Sequence, residues 1–154
     1  MGKGNQPTDG GHLLLNAHEK DELLRHEPEV APYIKKFLGG QEFIQGIERY
    51  CLWLVNIDPG LLRRMPKVIE RLEGVKKMRI ISTDPKTREM AKTPWLFRET
   101  CNYDSYVAIP EISSGRRPYI PIGFLIKRQF PVINYRYFLM EHFGILVFLL
   151  QSCI

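Results

Sequence analysis

The chain has 154 residues, 44% of them hydrophobic and 25% charged, which suits one folded domain and excludes a disordered or low-complexity polypeptide. A formal net charge of +5 and a pI of about 9.2 favour an anionic partner only weakly. Three cysteines and four histidines at scattered positions exclude a disulfide framework, a zinc knuckle and an HExxH metal site.

Residues 1–12, rich in Gly, Asn, Pro and Asp, read as a loop. Asn16 with Glu19 resembles a helix start, and residues 19–26 read as a short polar helix that ends before Pro28. Residues 32–38 read as a second short helix, with Gly39 and Gly40 as its stop. Residues 50–57 form an apolar run bounded by Asp58 and Pro59, the pattern of a buried strand. Pro66 suits a first helical turn. After it Val68, Ile69, Leu72, Val75 and Met78 recur at spacings of three and four, one apolar face of an amphipathic helix. Lys67 and Lys77 fall on the opposite side. Arg79 lies beside the apolar stripe, so its head must escape at the helix end or find a partner. Residues 85–92 read as another helix, stopped before Thr93 and Pro94. Strands follow at 106–109 and 119–124, joined through a turn at 113–117, with Pro118 and Pro121 confining the second to an edge or a bulge. The expected fold class is α+β: short N-terminal helices, a central basic helical segment and a mixed or antiparallel sheet.

Charge is unevenly spread. Residues 61–98 carry eleven Lys or Arg against four Asp or Glu, a net of +7, whereas residues 1–60 carry −3 and residues 99–154 carry +1. A concentrated positive segment is the footprint a polyphosphate would select; a solvated helix face is the competing reading.

Catalytic signatures are missing. The sequence has no GxxxxGK[ST], no dinucleotide fingerprint, no GxSxG, no local Cys/His pair and no carboxylate cluster. Cys101 and His142 read as structural, so no catalytic and no metal-ligating residue is expected. What remains is a binding surface. Arg116 and Arg117 have the chemistry for guanine, Asn5 and Gln6 for adenine, and Ser113 and Ser114 for bases or phosphates. Lys67, Lys77, Arg79 and Arg88 suit phosphates. For the Arg-Arg turn and the Asn-Gln-Pro segment, simple surface solvation is the competing explanation. The longest apolar run, 143–150, is far shorter than the roughly 18 residues of a membrane span, and no apolar signal segment opens the chain. With so few cysteines, this points to a cytoplasmic protein and no membrane partner.

Several ungapped blocks resemble, in one order, the target recognition domain of the MmeI-like (class IIL) DNA methyltransferases. They are Gly2-Lys-Gly-Asn-Gln-Pro-Thr-Asp-Gly-Gly11 with Leu13-Leu-Leu15, Tyr33-Ile-Lys-Lys-Phe-Leu-Gly39, Glu42-Phe-Ile44 and Arg49-Tyr-Cys-Leu-Trp-Leu54. Further on come Thr93-Pro94 with Phe97, Ile109-Pro-Glu-Ile-Ser-Ser114 and Arg117-Pro-Tyr-Ile-Pro-Ile-Gly-Phe-Leu125. The resemblance covers residues 1–125, read as a DNA-specificity domain. Residues 126–154 depart from the pattern and read as a divergent tail, truncated or frameshifted.

The resemblance implies the specificity part of a restriction-modification enzyme that methylates the exocyclic amino group of adenine. Its catalytic segments, a Gly loop for S-adenosylmethionine and an Asn-Pro-Pro-Tyr motif, lie upstream in the family and are not found here. The implied cofactor is therefore none for this chain and S-adenosylmethionine for the intact enzyme. The implied partners are double-stranded DNA and a methyltransferase catalytic domain, upstream or on a separate chain. In the expected mechanism segment 61–98 grips phosphates while Ser113, Ser114, Arg116 and Arg117 approach base edges in the major groove, positioning an adenine for extrusion. The alternative is a protein-interaction remnant without DNA affinity.

Overall fold

The computed structural model describes residues 2–3, 5–39, 42 and 45–100, and the strand backbones at 105–110, 123–126, 129–131 and 135–139; side chains are described for 5–39, 42 and 45–100. In chain order the elements are β1 (Gly2–Lys3), β2 (Leu14–Leu15), α1 (Ala17–His26), a 3-10 helix (Pro28–Tyr33), β3 (Ile34–Leu38), β4 (Arg49–Leu52), α2 (Pro59–Leu62), α3 (Pro66–Ile80), α4 (Pro85–Glu89), a 3-10 turn (Met90–Lys92), β5 (Ser105–Pro110), β6 (Gly123–Ile126), β7 (Gln129–Pro131) and β8 (Tyr135–Leu139). The class is α+β, with two four-stranded sheets. One, in order β1-β8-β5-β6, is antiparallel throughout; the other, β2-β4-β3-β7, is mixed because β7 runs parallel to β3.

The helices follow local rules. Asn16 accepts the backbone N–H of Glu19 at 2.8 Å while the Glu19 carboxylate accepts that of Asn16 at 2.9 Å, so α1 opens on a reciprocal capping box. Asp58 caps α2 through the Leu61 N–H at 2.9 Å, and Asp84 caps α4 through that of Lys86 at 3.1 Å. Helix α3 has no such local cap, and Pro66 supplies no N–H. Its first free donors, Lys67 and Val68, reach the Glu27 carboxylate at 2.5 and 3.2 Å, from a residue 40 positions earlier in the chain.

Helix α3 lays Val68, Leu72 and Val75 into a core shared with Leu13, Leu15, Leu52, Leu54 and Met65. Trp53 meets Phe97 edge to face, with ring centroids 5.2 Å apart. Each fully buried Val or Leu contributes about 1.5–3 kcal/mol, so the apolar stripe outweighs the weak propensity of the glycine within the helix.

Three expectations change. Residues 34–38 form strand β3, not the second half of a helix, because the segment finds partners on both sides: β4 antiparallel (Lys36 opposite Tyr50) and β7 parallel (Lys36 opposite Gln129). Long-range pairing overrides local helix propensity there. The leading segment is not only loop, since Gly2 and Lys3 pair with Tyr137 and Arg136, and Gln6 bridges Glu99. The apolar run 50–57 is a strand only to Leu52. Trp53 then donates to the Tyr33 carbonyl at 2.7 Å, and Asn56 turns the chain at φ 62°. Strand β5 covers the expected 106–109, and β6 overlaps the end of the expected 119–124.

Candidate nucleic-acid interface

Five of the eleven cations of residues 61–98 belong to α3 itself: Lys67, Arg71, Lys76, Lys77 and Arg79. Lys67, Arg71 and Lys77 line a groove of about 1040 Å³ between α1 and α3, where Glu19, Glu22, Glu70 and Glu73 also stand. Lys76 and Lys92 line a second groove of about 440 Å³, with Ile80 and Trp95. Consecutive helical residues are about 100° apart, so density along the sequence becomes dispersion in space. The concentrated positive segment of the sequence therefore does not form a single basic face.

Several cations are also occupied. Arg71 meets Glu19 at 2.9 Å and donates to the His12 carbonyl at 3.1 Å. Arg98 meets Asp84 at 3.1 Å, Lys92 meets Glu89 at 2.6 Å, Lys67 meets Glu70 at 3.8 Å and Arg64 meets Glu29 at 3.9 Å. Arg88 donates to the Ser82 and Thr83 carbonyls at 2.9 and 3.0 Å. Exposed pairs of this kind contribute little and can exchange a carboxylate for a phosphate. Arg63, Lys76, Lys77 and Lys86 are exposed and make no ion pair with a described residue.

Arg79 is not available to DNA. Its residue is fully buried, and the guanidinium donates to five carbonyls: Thr8, Met90, Thr93 and Pro7 at 3.0 Å and Leu96 at 2.7 Å. Burial draws its pKa down from the ordinary guanidinium value, and the nearby Asp9 charge opposes that. The carbonyls take every direction the planar fork can serve, so Arg79 leaves the set of phosphate contacts. Of the two alternatives the sequence left for its head, the partner prevails.

Asn5 is buried as well, which removes it from the accessible surface, whereas Gln6 is half-buried. Lys67, Lys77 and Arg88 are exposed. Ser113, Ser114, Arg116 and Arg117 lie outside the described residues.

Among the described residues no nucleophile or metal site emerges. Cys51 is fully buried; burial, with the Asp9 charge, pushes its thiol up to about 12, so it stays protonated. Among the described residues no group of His, Cys, Asp and Glu is placed to hold a metal ion. The buried carboxylates among the described residues are all engaged: Asp9 with the Leu13 N–H at 2.5 Å, Glu27 at the start of α3, and Glu42 with Arg49 at 3.3 Å. No helix among the described residues is long and apolar enough to cross a membrane.

Two features carry no local sequence signal. Thr8 adopts φ 44°, a conformation that β-branched residues avoid. The string Pro-Thr-Asp-Gly-Gly announces a turn without saying which residue takes the left-handed place. Gly74 lies under the His12 ring, where a Cβ would fall 2.6 Å from ring atoms.

The family model described as "MmeI, target recognition domain" matches residues 1–152 and so runs past residue 125. "DNA methyltransferase A" of Bacillus subtilis (strain 168) is 43% identical over 121 residues, which cover 78% of this chain and 14% of that relative. A solved structure of the Type IIL restriction-modification enzyme MmeI in complex with DNA is similar at a TM-score of 0.84 and 38% identity, over 88% of this chain and 18% of that one. The chain therefore spans less than a fifth of the length of either relative.

Proposed function

Because this chain belongs to the MmeI target recognition domain family, we propose that it is the DNA-recognition module of a restriction-modification methyltransferase. The observation that carries the reading is the similarity, at a TM-score of 0.84 and 38% identity, to a chain whose structure holds DNA. Exposed Lys67 and Lys77, with Arg88 and the cations that can trade a carboxylate for a phosphate, fix the domain on the duplex backbone. Ser113, Ser114, Arg116 and Arg117 read base edges, and the target is an adenine in double-stranded DNA. Methyl transfer belongs to a catalytic domain outside this chain, which supplies the S-adenosylmethionine site. The described residues do not fit that cofactor. The Gly10–Gly11 turn leads into strand β2 instead of opening a helix, and Asp9, Glu27 and Glu42 are already engaged, leaving no buried carboxylate for a ribose.

Duplex binding across a salt series tests the reading. Affinity should fall between about 50 and 200 mM salt, with a slope near −0.9 per phosphate contact. Lys77→Ala should weaken all sequences alike and flatten that slope by about 0.9. Arg116→Ala or Arg117→Ala should instead relax preference at one base pair, by about 1–3 kcal/mol. No duplex affinity at about 50 mM salt overturns the proposal. One observation favours a protein-docking module as the second reading: Ile80 and Ile81 are 53% and 81% exposed at the end of α3. That reading predicts no DNA affinity at any salt.

A further inference from the structure

Along residues 5–9 burial alternates. Asn5, Pro7 and Asp9 face inward, while Gln6 and Thr8 are half-buried on the outer side. Thr8 sits at φ 44°, where a β-branched residue persists only if its surroundings hold it. Arg79 does the holding. One guanidinium donates to the carbonyls of both Pro7 and Thr8, and to those of Met90, Thr93 and Leu96 on the segment alongside. Gln6 is fixed through its backbone as well, donating to the Glu99 carbonyl at 3.4 Å and accepting the Arg98 N–H at 2.7 Å.

The Gln6 amide and the Thr8 hydroxyl make no hydrogen bond to a described residue. Beside them Gly10 and Gly11 turn with φ 64° and 89°, both exposed, and Gly11 has open space where a side chain would stand. Two neutral hydrogen-bonding groups thus share one edge of a backbone that is locked from within and open to close approach from outside.

We infer that Gln6 and Thr8 form a phosphate-seating edge of the DNA interface and that Arg79 is its positioning residue. The inference rests on the DNA-binding reading above. Neutral amide and hydroxyl donors fix register on a duplex but release no counterions, so they add affinity without adding salt dependence. Arg79 acts from inside, through the carbonyls, and never touches the duplex.

The test uses the full 154-residue chain and fluorescence anisotropy with two unrelated duplexes of about 30 base pairs, over about 50–200 mM salt. Gln6→Ala and Thr8→Ala should each weaken both duplexes about three- to tenfold at an unchanged salt slope, and Thr8→Ser should bind like the wild type. Arg79→Lys keeps the charge and loses the planar fork; it should weaken both duplexes about tenfold or more. Val30→Ala truncates a fully buried core residue that has no place in the interface and serves as the stability control, with affinity within about twofold of the wild type.

Arg79→Lys binding like the wild type, or losing no more than Val30→Ala, overturns the positioning role. A change in the ratio between the two duplexes on Gln6→Ala or Thr8→Ala overturns phosphate seating in favour of base reading. If Arg79→Lys fails to fold, the two surface variants decide the edge. Absence of wild-type affinity overturns the DNA-binding reading itself, whereas normal wild-type binding with unaffected variants overturns this edge alone.

Discussion

Replacing Glu27 with alanine should cost far more than a surface substitution. Helix α3 receives no side-chain cap from Met65, and Pro66 has no N–H to satisfy, so the Lys67 and Val68 donors depend on the Glu27 carboxylate at 2.5 and 3.2 Å. Val68 is fully buried, so no water replaces the lost acceptor there. An unsatisfied buried donor costs about 1–3 kcal/mol. Loss of the negative charge at a helix N-terminus adds about 0.3–1 kcal/mol. The sum is about 1.3–4 kcal/mol, a sizeable share of the roughly 5–15 kcal/mol that holds a domain together. Glu27→Gln retains one acceptor oxygen and should cost about 1 kcal/mol. Urea unfolding followed by far-UV circular dichroism measures both. A loss within about 0.5 kcal/mol for Glu27→Ala, or equal losses for the two variants, would refute the capping argument.

Gly74→Ala should cost at most about 1 kcal/mol, because the new Cβ would lie 2.6 Å from the His12 ring, which is exposed and can swing aside. In a His12→Ala background the same change should be neutral or stabilising by up to about 1 kcal/mol, since alanine is then the better helix former; a thermal double-mutant cycle reads the change of sign. Burial pushes the Glu19 pKa up, but the Asn16 N–H and Arg71 together carry it below its ordinary 4.5. The stability it lends is therefore present above about pH 4.5 and fades as pH falls through the lower folded value, so Arg71→Met should flatten the acid limb of a stability profile. Native Cys51, its thiol pushed up to about 12, should resist a thiol reagent at neutral pH and react only on unfolding, at a rate that follows urea. Rapid labelling of the native chain at Cys51, located by mass spectrometry, would contradict its burial.

The legible parts of the fold are those in which a few adjacent residues carry their own physics. The Asn16–Glu19 box, Pro66 at a first turn, and the 3–4 spacing of Val68, Leu72 and Val75 each bear on groups within one or two turns, and the helices α1 and α3 followed. The ordered blocks likewise led to the family that the comparison supports over residues 1–152. Strand β3 was not legible, since its hydrogen bonds go to β4 and to β7, about ninety residues further along. The candidate interface divides in the same way. Lys67 and Lys77 could be placed outside α3 from the helical period alone, whereas Asn5 could not be placed inside.

The sequence by itself determined where α1, α3 and α4 begin, which face of α3 is apolar, that the positive charge concentrates between residues 61 and 98, and which family the chain resembles. Only the tertiary structure decided what that charge does. Arg79, which composition counts with the other cations, is enclosed by five carbonyls from segments as far as 72 residues away, while Arg71 and Arg98 face carboxylates. A charge count records that a cation exists. Its solvation and its partner depend on which distant backbone closes over it, and that is fixed when the chain packs.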